Sequence, residues 1–115
     1  MAIVNITVSN DADFYRTFSW QTIEGDPINM TGMSLEMMLR RHAPDQAAVL
    51  RLGSDTGEMV VFDPLNGLFT VRIEQETLER LGTGDFDQSA IATVTGGGKV
   101  RIWSGLLTNN AGPTR

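Results

Sequence analysis

The chain has 115 residues, 41% of them hydrophobic and 20% charged, with a formal net charge of -5 and no cysteine. That length and balance allow one domain with a real core, and they exclude two independent cores or a disordered polar chain. They also exclude disulfides and Cys-based zinc or redox sites, and an acidic chain whose only lysine is Lys99 lacks the basic surface that grips nucleic-acid phosphates.

In chain order, Met1-Ala2-Ile3-Val4-Asn5-Ile6 has no basic n-region and its apolar run is broken by Asn5, so it does not read as a signal peptide. No apolar stretch approaches the roughly 20 residues needed to cross a bilayer. Val4, Ile6 and Val8 alternate with Asn5 and Thr7, the period of a half-buried strand. Asn10, Asp11 and Asp13 form a turn cluster. The stretch 14–23 is a second strand, with Phe14, Phe18 and Trp20 on the core face and Tyr15, Thr17, Ser19 and Gln21 opposite.

Glu24-Gly25-Asp26-Pro27 is a turn, because Gly tolerates positive φ and Pro donates no hydrogen bond. Met33, Leu35, Met37 and Leu39 then alternate with Ser34, Glu36, Met38 and Arg40. Leu and Met favour helices, but four consecutive matches to strict alternation predict a strand. Shorter strands follow at 48–52, 59–62 and 69–73, separated by turns at Ser54-Asp55-Thr56-Gly57 and Asn66-Gly67.

Ile73, Thr77, Leu78 and Leu81 recur at helical spacing, which predicts one or two helical turns over 74–81 stopped at Gly82. The runs 87–95 and 99–107 flank Gly96-Gly97-Gly98 and form a closing hairpin. Residues 1–107 are thus one all-β domain of about seven strands with one short helix, an antiparallel β-sandwich by its turn spacing, with a small closed barrel as the alternative. Residues 108–115 read as a flexible polar tail.

The residues offer no catalytic, cofactor or metal constellation. His42 is the one histidine and sits beside Pro44 in a turn, without a Gly-x-Ser-x-Gly elbow. The carboxylate pairs Asp11 with Asp13 and Glu24 with Asp26 flank turns, where Asp is favoured for capping rather than for glycosidase chemistry. Asp85 and Asp87 share one side of an extended strand, yet no Ca2+-loop spacing is present. Gly96-Gly97-Gly98 precedes a strand, whereas a phosphate cradle opens a helix.

Interaction candidates remain. Trp103 falls opposite Val100 and Ile102 in the alternation, beside Arg101, and an outward aromatic flanked by Arg is the composition of an interface hot spot. Met38 is the methionine that alternation turns outward, while Met33 and Met37 fill the core. Pro113 and Arg115 extend the set into the tail. An exposed Trp103 would equally suit a small carbohydrate-binding module, the alternative function.

Three segments carry a family resemblance. Asp13-Phe14-Tyr15-Arg16-Thr17-Phe18-Ser19-Trp20 comes first, then Gly25-Asp26-Pro27-Ile28-Asn29-Met30-Thr31-Gly32 with its strand ending in Arg40-Arg41. The third is a strand, a short helix around Thr77-Leu78-Glu79-Arg80-Leu81, a Gly-rich turn and a hairpin. Their order resembles the N-terminal immunoglobulin-like domain of phage baseplate upper proteins and the small stand-alone virion proteins related to it. Asn29, Met30 and Phe86 depart from the family's usual residues while keeping shape and polarity. The resemblance implies an immunoglobulin-like sandwich and a virion structural protein, an adaptor or subunit in a tail, baseplate or head-fibre assembly. It implies docking onto other virion proteins and copies of itself, with no catalytic residues to carry over; the acidic charge and the lack of a long apolar run add the expectation of no nucleic acid, no membrane and no cofactor. Such a protein is made in the host cytoplasm and resides in the virion.

Overall fold

The structure, a computed structural model, describes residues 2–42, 44 and 47–113. Its strands are β1 (Ala2–Ile3), β2 (Ile6–Ser9), β3 (Phe14–Ser19), β4 (Ser34–Arg40), β5 (Leu50–Gly53), β6 (Met59–Asp63), β7 (Leu68–Ile73), β8 (Gly84–Thr93) and β9 (Lys99–Asn110), with one helix, α1 (Gln75–Leu81). The predicted strands are all present, and the helix-versus-strand conflict at β4 resolves as alternation requires. Leu35, Met37 and Leu39 are buried, and Glu36, Met38 and Arg40 lie half-buried on the other face.

The strands form two separate sheets, which sets the closed-barrel alternative aside. The larger runs β1-β9-β8-β4-β5, with β2 also on β9, and the smaller runs β3-β7-β6. This strand order is that of an immunoglobulin-like sandwich: β3, β7 and β6 stand where B, E and D stand, and β5, β4, β8 and β9 where C′, C, F and G stand. One part of the expectation changes. The sandwich is not wholly antiparallel, because β1 and β2 pair in parallel with β9, Ala2 opposite Trp103 and Ile6 opposite Leu107.

The core lies between the sheets. Leu35, Met37, Leu39, Phe86 and Leu107 of the larger sheet meet Met59, Phe69, Val71 and Ile73 of the smaller one, and Leu78 of α1 closes one end. Each such side chain contributes about 1.5–3 kcal/mol on burial. Ala90 and Ala92 are fully buried on β8.

Two predicted boundaries move. The strand from Phe14 stops at Ser19 because the chain then folds on itself: Ile28 donates to the Trp20 carbonyl at 3.0 Å, and Ile23 at the tip is fully exposed. At the other end, the domain limit drawn after Leu107 falls inside β9, which continues through Asn110. Asn109 is buried and its Nδ2 donates to the carbonyls of Leu78 and Gly82 at 2.8 and 2.9 Å, satisfying backbone acceptors at the C-terminal end of α1. The amide of Gly112 donates to Asn10 Oδ1 at 2.9 Å. The N-terminal end of α1 is held from outside the helix, Asp13 Oδ1 accepting from the Gln75 amide at 2.7 Å.

Candidate functional site

The outer face of the larger sheet is concave and encloses about 550 Å3. The register places its side chains in rows across the strands. Arg40 stands opposite Asp87 and Asp87 opposite Leu106; Met38 opposite Ser89 and Ser89 opposite Ser104; Glu36 opposite Ile91 and Ile91 opposite Arg101. Ile3, largely exposed, closes the end of the Ser104 row through β1. The face thus combines scattered apolar side chains with charges of both signs. Arg40 Nη2 lies 3.5 Å from Met38 Sδ, and Arg51 binds Glu36 at 2.8 Å and Asp55 at 3.2 Å. Its hydrogen bond to Glu36 first, and to Asp55 second, raises the Arg51 pKa above its ordinary value.

The wall of this concavity is built by a polar relay from the core. Trp103 Nε1 donates to Gln88 Oε1 at 2.7 Å, and Gln88 Nε2 donates to the Val4 carbonyl at 2.7 Å. The Leu106 amide donates to Asn5 Oδ1 at 3.1 Å. The N-terminal strand therefore lies tightly on β9, and a Cβ on Gly105 would overlap the Val4 carbonyl. Only glycine permits that close approach.

The structure sorts the predicted interaction residues. Met38 and Arg101 both line the concavity. Pro113 is exposed but lies beyond β9, away from this face, and Arg115 falls outside the described residues. Trp103 is corrected outright. It is only 3% exposed and points into the core, where its ring centroid lies 4.7 Å from Phe18 and 5.6 Å from Phe69. The physical reason is a β-bulge: Ala90 pairs with Trp103 but Ile91 pairs with Arg101, so Ile102 is an extra residue and the alternation shifts by one. Ile102 and Trp103 are consequently both buried while Arg101 points outward. Burial of Trp103 also removes the stacking platform on which a carbohydrate-binding reading relied.

Two of these carboxylates have local partners: Asp13 Oδ1 accepts from the Gln75 amide of α1, and Asp85 Oδ1 accepts from Thr108 Oγ1 at 2.7 Å. The backbone amide of Asp26 donates to Thr22 Oγ1 at 3.2 Å. Asp85 and Asp87 do lie on one side of β8, opposite the buried Phe86 and Gln88. Gly96 and Gly97 form the tip of the β8–β9 hairpin, where Gly97 donates to the Val94 carbonyl at 3.0 Å.

Sequence reasoning missed Ile3, Ile91 and Leu106 on the concave face, and also Asp87 and Glu36 as its charged members. The signal was weak but present: Leu106-Leu107 are adjacent apolar residues on one strand, so one of them must face outward. Choosing which one requires the register with β8.

No protein-family model matches the chain, and no curated protein matches it either. Among solved structures it is similar to the N-terminal domain of phage TP901-1 ORF48, at 15% identity and a TM-score of 0.52 over 94% of this chain and 84% of that one. It is also similar to murine CRIg, at 11% identity and a TM-score of 0.45 over 94% of this chain and 92% of that one. A third likeness is to a chain of the complex of ICOS with ICOS-L and an anti ICOS-L VNAR domain, at 14% identity and a TM-score of 0.43, over 93% of this chain and 53% of that one. The first of these shows a fold shared with a phage protein domain, in agreement with the immunoglobulin-like strand order.

Proposed function

We propose that this chain is a structural protein of a tailed-phage virion, an adaptor or subunit in a tail, baseplate or head-fibre assembly that catalyses no reaction. It works by docking onto other virion proteins, and it is made in the host cytoplasm and carried in the virion. The observation that carries this reading is the concave outer face of the larger sheet, where Met38, Ile91 and Leu106 lie among Glu36, Arg40, Asp87 and Arg101. Apolar anchors within a mixed-charge surround are the composition of a non-obligate protein interface. The segments 13–20 and 25–32 support the phage assignment through their family resemblance, and the fold likeness to a phage domain agrees with it.

The mechanism is mechanical. The bulge in β9 fixes Arg101 outward and Trp103 inward, the Gln88 relay fixes the N-terminal strand, and the face is presented on a rigid sheet. A rigid face loses little conformational entropy on binding, so most of the contact energy is retained. The test is mass spectrometry of purified particles of a phage encoding this chain. The expected result is the chain present at a fixed ratio to the other tail or head proteins, and its absence from intact particles overturns the proposal.

A further inference from the structure

The geometry points to a second contact, separate from the concave face: the free edge of β3 takes an antiparallel strand of another protein, with an acid opposite Arg16 and apolar residues opposite Phe14 and Phe18. β3 ends the smaller sheet and pairs with β7 alone. Its register, continued by the bond from the Trp20 amide to the Gly67 carbonyl at 2.8 Å, turns the backbone groups of Phe14, Arg16 and Phe18 toward β7. Backbone groups alternate in direction along a strand, so the N–H and C=O groups of Tyr15, Thr17 and Ser19 point away from the sheet. Among the described residues no strand pairs with that side.

The other edges are guarded by shape. β6 breaks register between Val61 and Asp63 and runs into Pro64, β5 has only four residues, and the strand outside β9 is split into β1 and β2. Short, bulged or proline-bearing strands resist pairing with another chain. β3 has six residues with no proline, lysine or bulge, and what guards it is one charge. Arg16 stands between the half-buried Phe14 and Phe18 on the inward side, its guanidinium 5.5 and 5.9 Å from their ring centroids. Among the described residues it meets no carboxylate.

An inward charge keeps an edge unpaired, because a strand with an apolar or basic residue opposite it strips water from the cation and gives nothing back. An acid at that position offsets the loss and makes the edge selective. The position opposite Arg16 is a non-hydrogen-bonded pair, with Cα atoms about 4.5 Å apart and side chains at their closest. A second β3 does not fit. In antiparallel registers centred on Arg16, Thr17 or Tyr15, Arg16 meets Arg16, Phe18 or Phe14 of the other copy and never an acid. The matching strand therefore reads apolar, any, acid, any, apolar, and main-chain bonds to Tyr15, Thr17 and Ser19 hold it in place.

The experiment is an NMR titration of the 15N-labelled full chain with the capped peptide Thr-Val-Thr-Glu-Thr-Val-Thr. The amides of Tyr15, Thr17 and Ser19 are expected to shift and to exchange more slowly with solvent, while that of Val60 on the β6 edge is unmoved. The same peptide with lysine in place of glutamate binds about five- to tenfold more weakly. Arg16→Glu keeps the parent melting temperature, because Arg16 is exposed, and inverts the preference between the two peptides. Thr17→Pro removes the central edge donor without touching the β7 ladder, and abolishes binding of both. No response of the edge amides at up to about 5 mM peptide, equal binding of the two peptides, or a preference that Arg16→Glu leaves unchanged overturns the inference. The reading of the concave face fails separately, through absence of the chain from particles.

Discussion

The larger sheet turns outward a concavity in which charges of both signs surround Met38, Ile91 and Leu106, whereas the smaller sheet turns outward Tyr15, Val60 and Phe62. On the smaller sheet the apolar side chains sit on the two edge strands. On the central strand between them the exposed outward residue is Arg72, opposite Tyr15, while Thr70, between Thr17 and Val60, is buried. The β6 edge of this sheet is also interrupted: the register shifts between Val61 and Asp63, leaving Phe62 as an extra residue, and Pro64 follows. Bulges and prolines are devices that keep an edge strand from pairing with another chain. Exposed apolar area alone therefore does not distinguish a docking face, since single apolar residues are normal at any surface. The larger sheet is distinguished by its concavity and by charges of both signs set among apolar side chains.

That contrast rests on β9, and the largest expected effect comes from breaking its core side. Trp103→Ala removes the ring that stacks on Phe69 and packs at a tilt on Phe18, and leaves Gln88 without its donor, at a cost of about 3–5 kcal/mol in denaturant unfolding. Gln88→Ala spares the aromatic stack but leaves Trp103 Nε1 and the Val4 carbonyl unpaired, and should cost about 1–3 kcal/mol. Gly105→Ala forces the N-terminal strand away from β9 and should cost a similar amount, about 1–3 kcal/mol, with hydrogen exchange accelerating first at Ile6 and Val8. Asp13→Ala removes the bond to the Gln75 amide and should cost about 1 kcal/mol. The smallest effects belong to Met38→Asp and Phe62→Ser, one on each outer face. Both should leave stability within about 0.5 kcal/mol, as surface changes do, so any difference between them in assembly reports docking rather than folding.

Much of this architecture was legible in the sequence, and the failures share a cause. At β4, strict alternation outweighed helix propensity, and the burial of Leu35, Met37 and Leu39 follows it residue by residue. The same rule misplaced Trp103, because one extra residue at Ile102 inverts the phase and nothing in β9 itself announces it. A bulge is a property of two strands, visible only when the partner's register is known. The buried Asn109 was assigned to a polar tail for a related reason. Its amide serves carbonyls some thirty residues earlier, a pairing that composition does not encode. The concave face was half legible: alternation brings out Met38, and Arg101 points outward as expected. Bringing them together with Ile91, Leu106 and Asp87 required the sheet order β9-β8-β4.

The most direct test of the docking face is incorporation of variants into particles, comparing Met38→Asp with Phe62→Ser in a phage that supplies the chain from a plasmid. The account predicts that Phe62→Ser is incorporated at the parent level and Met38→Asp is largely excluded, although both fold with the parent melting temperature. Equal incorporation of the two, or exclusion of Phe62→Ser alone, would contradict it.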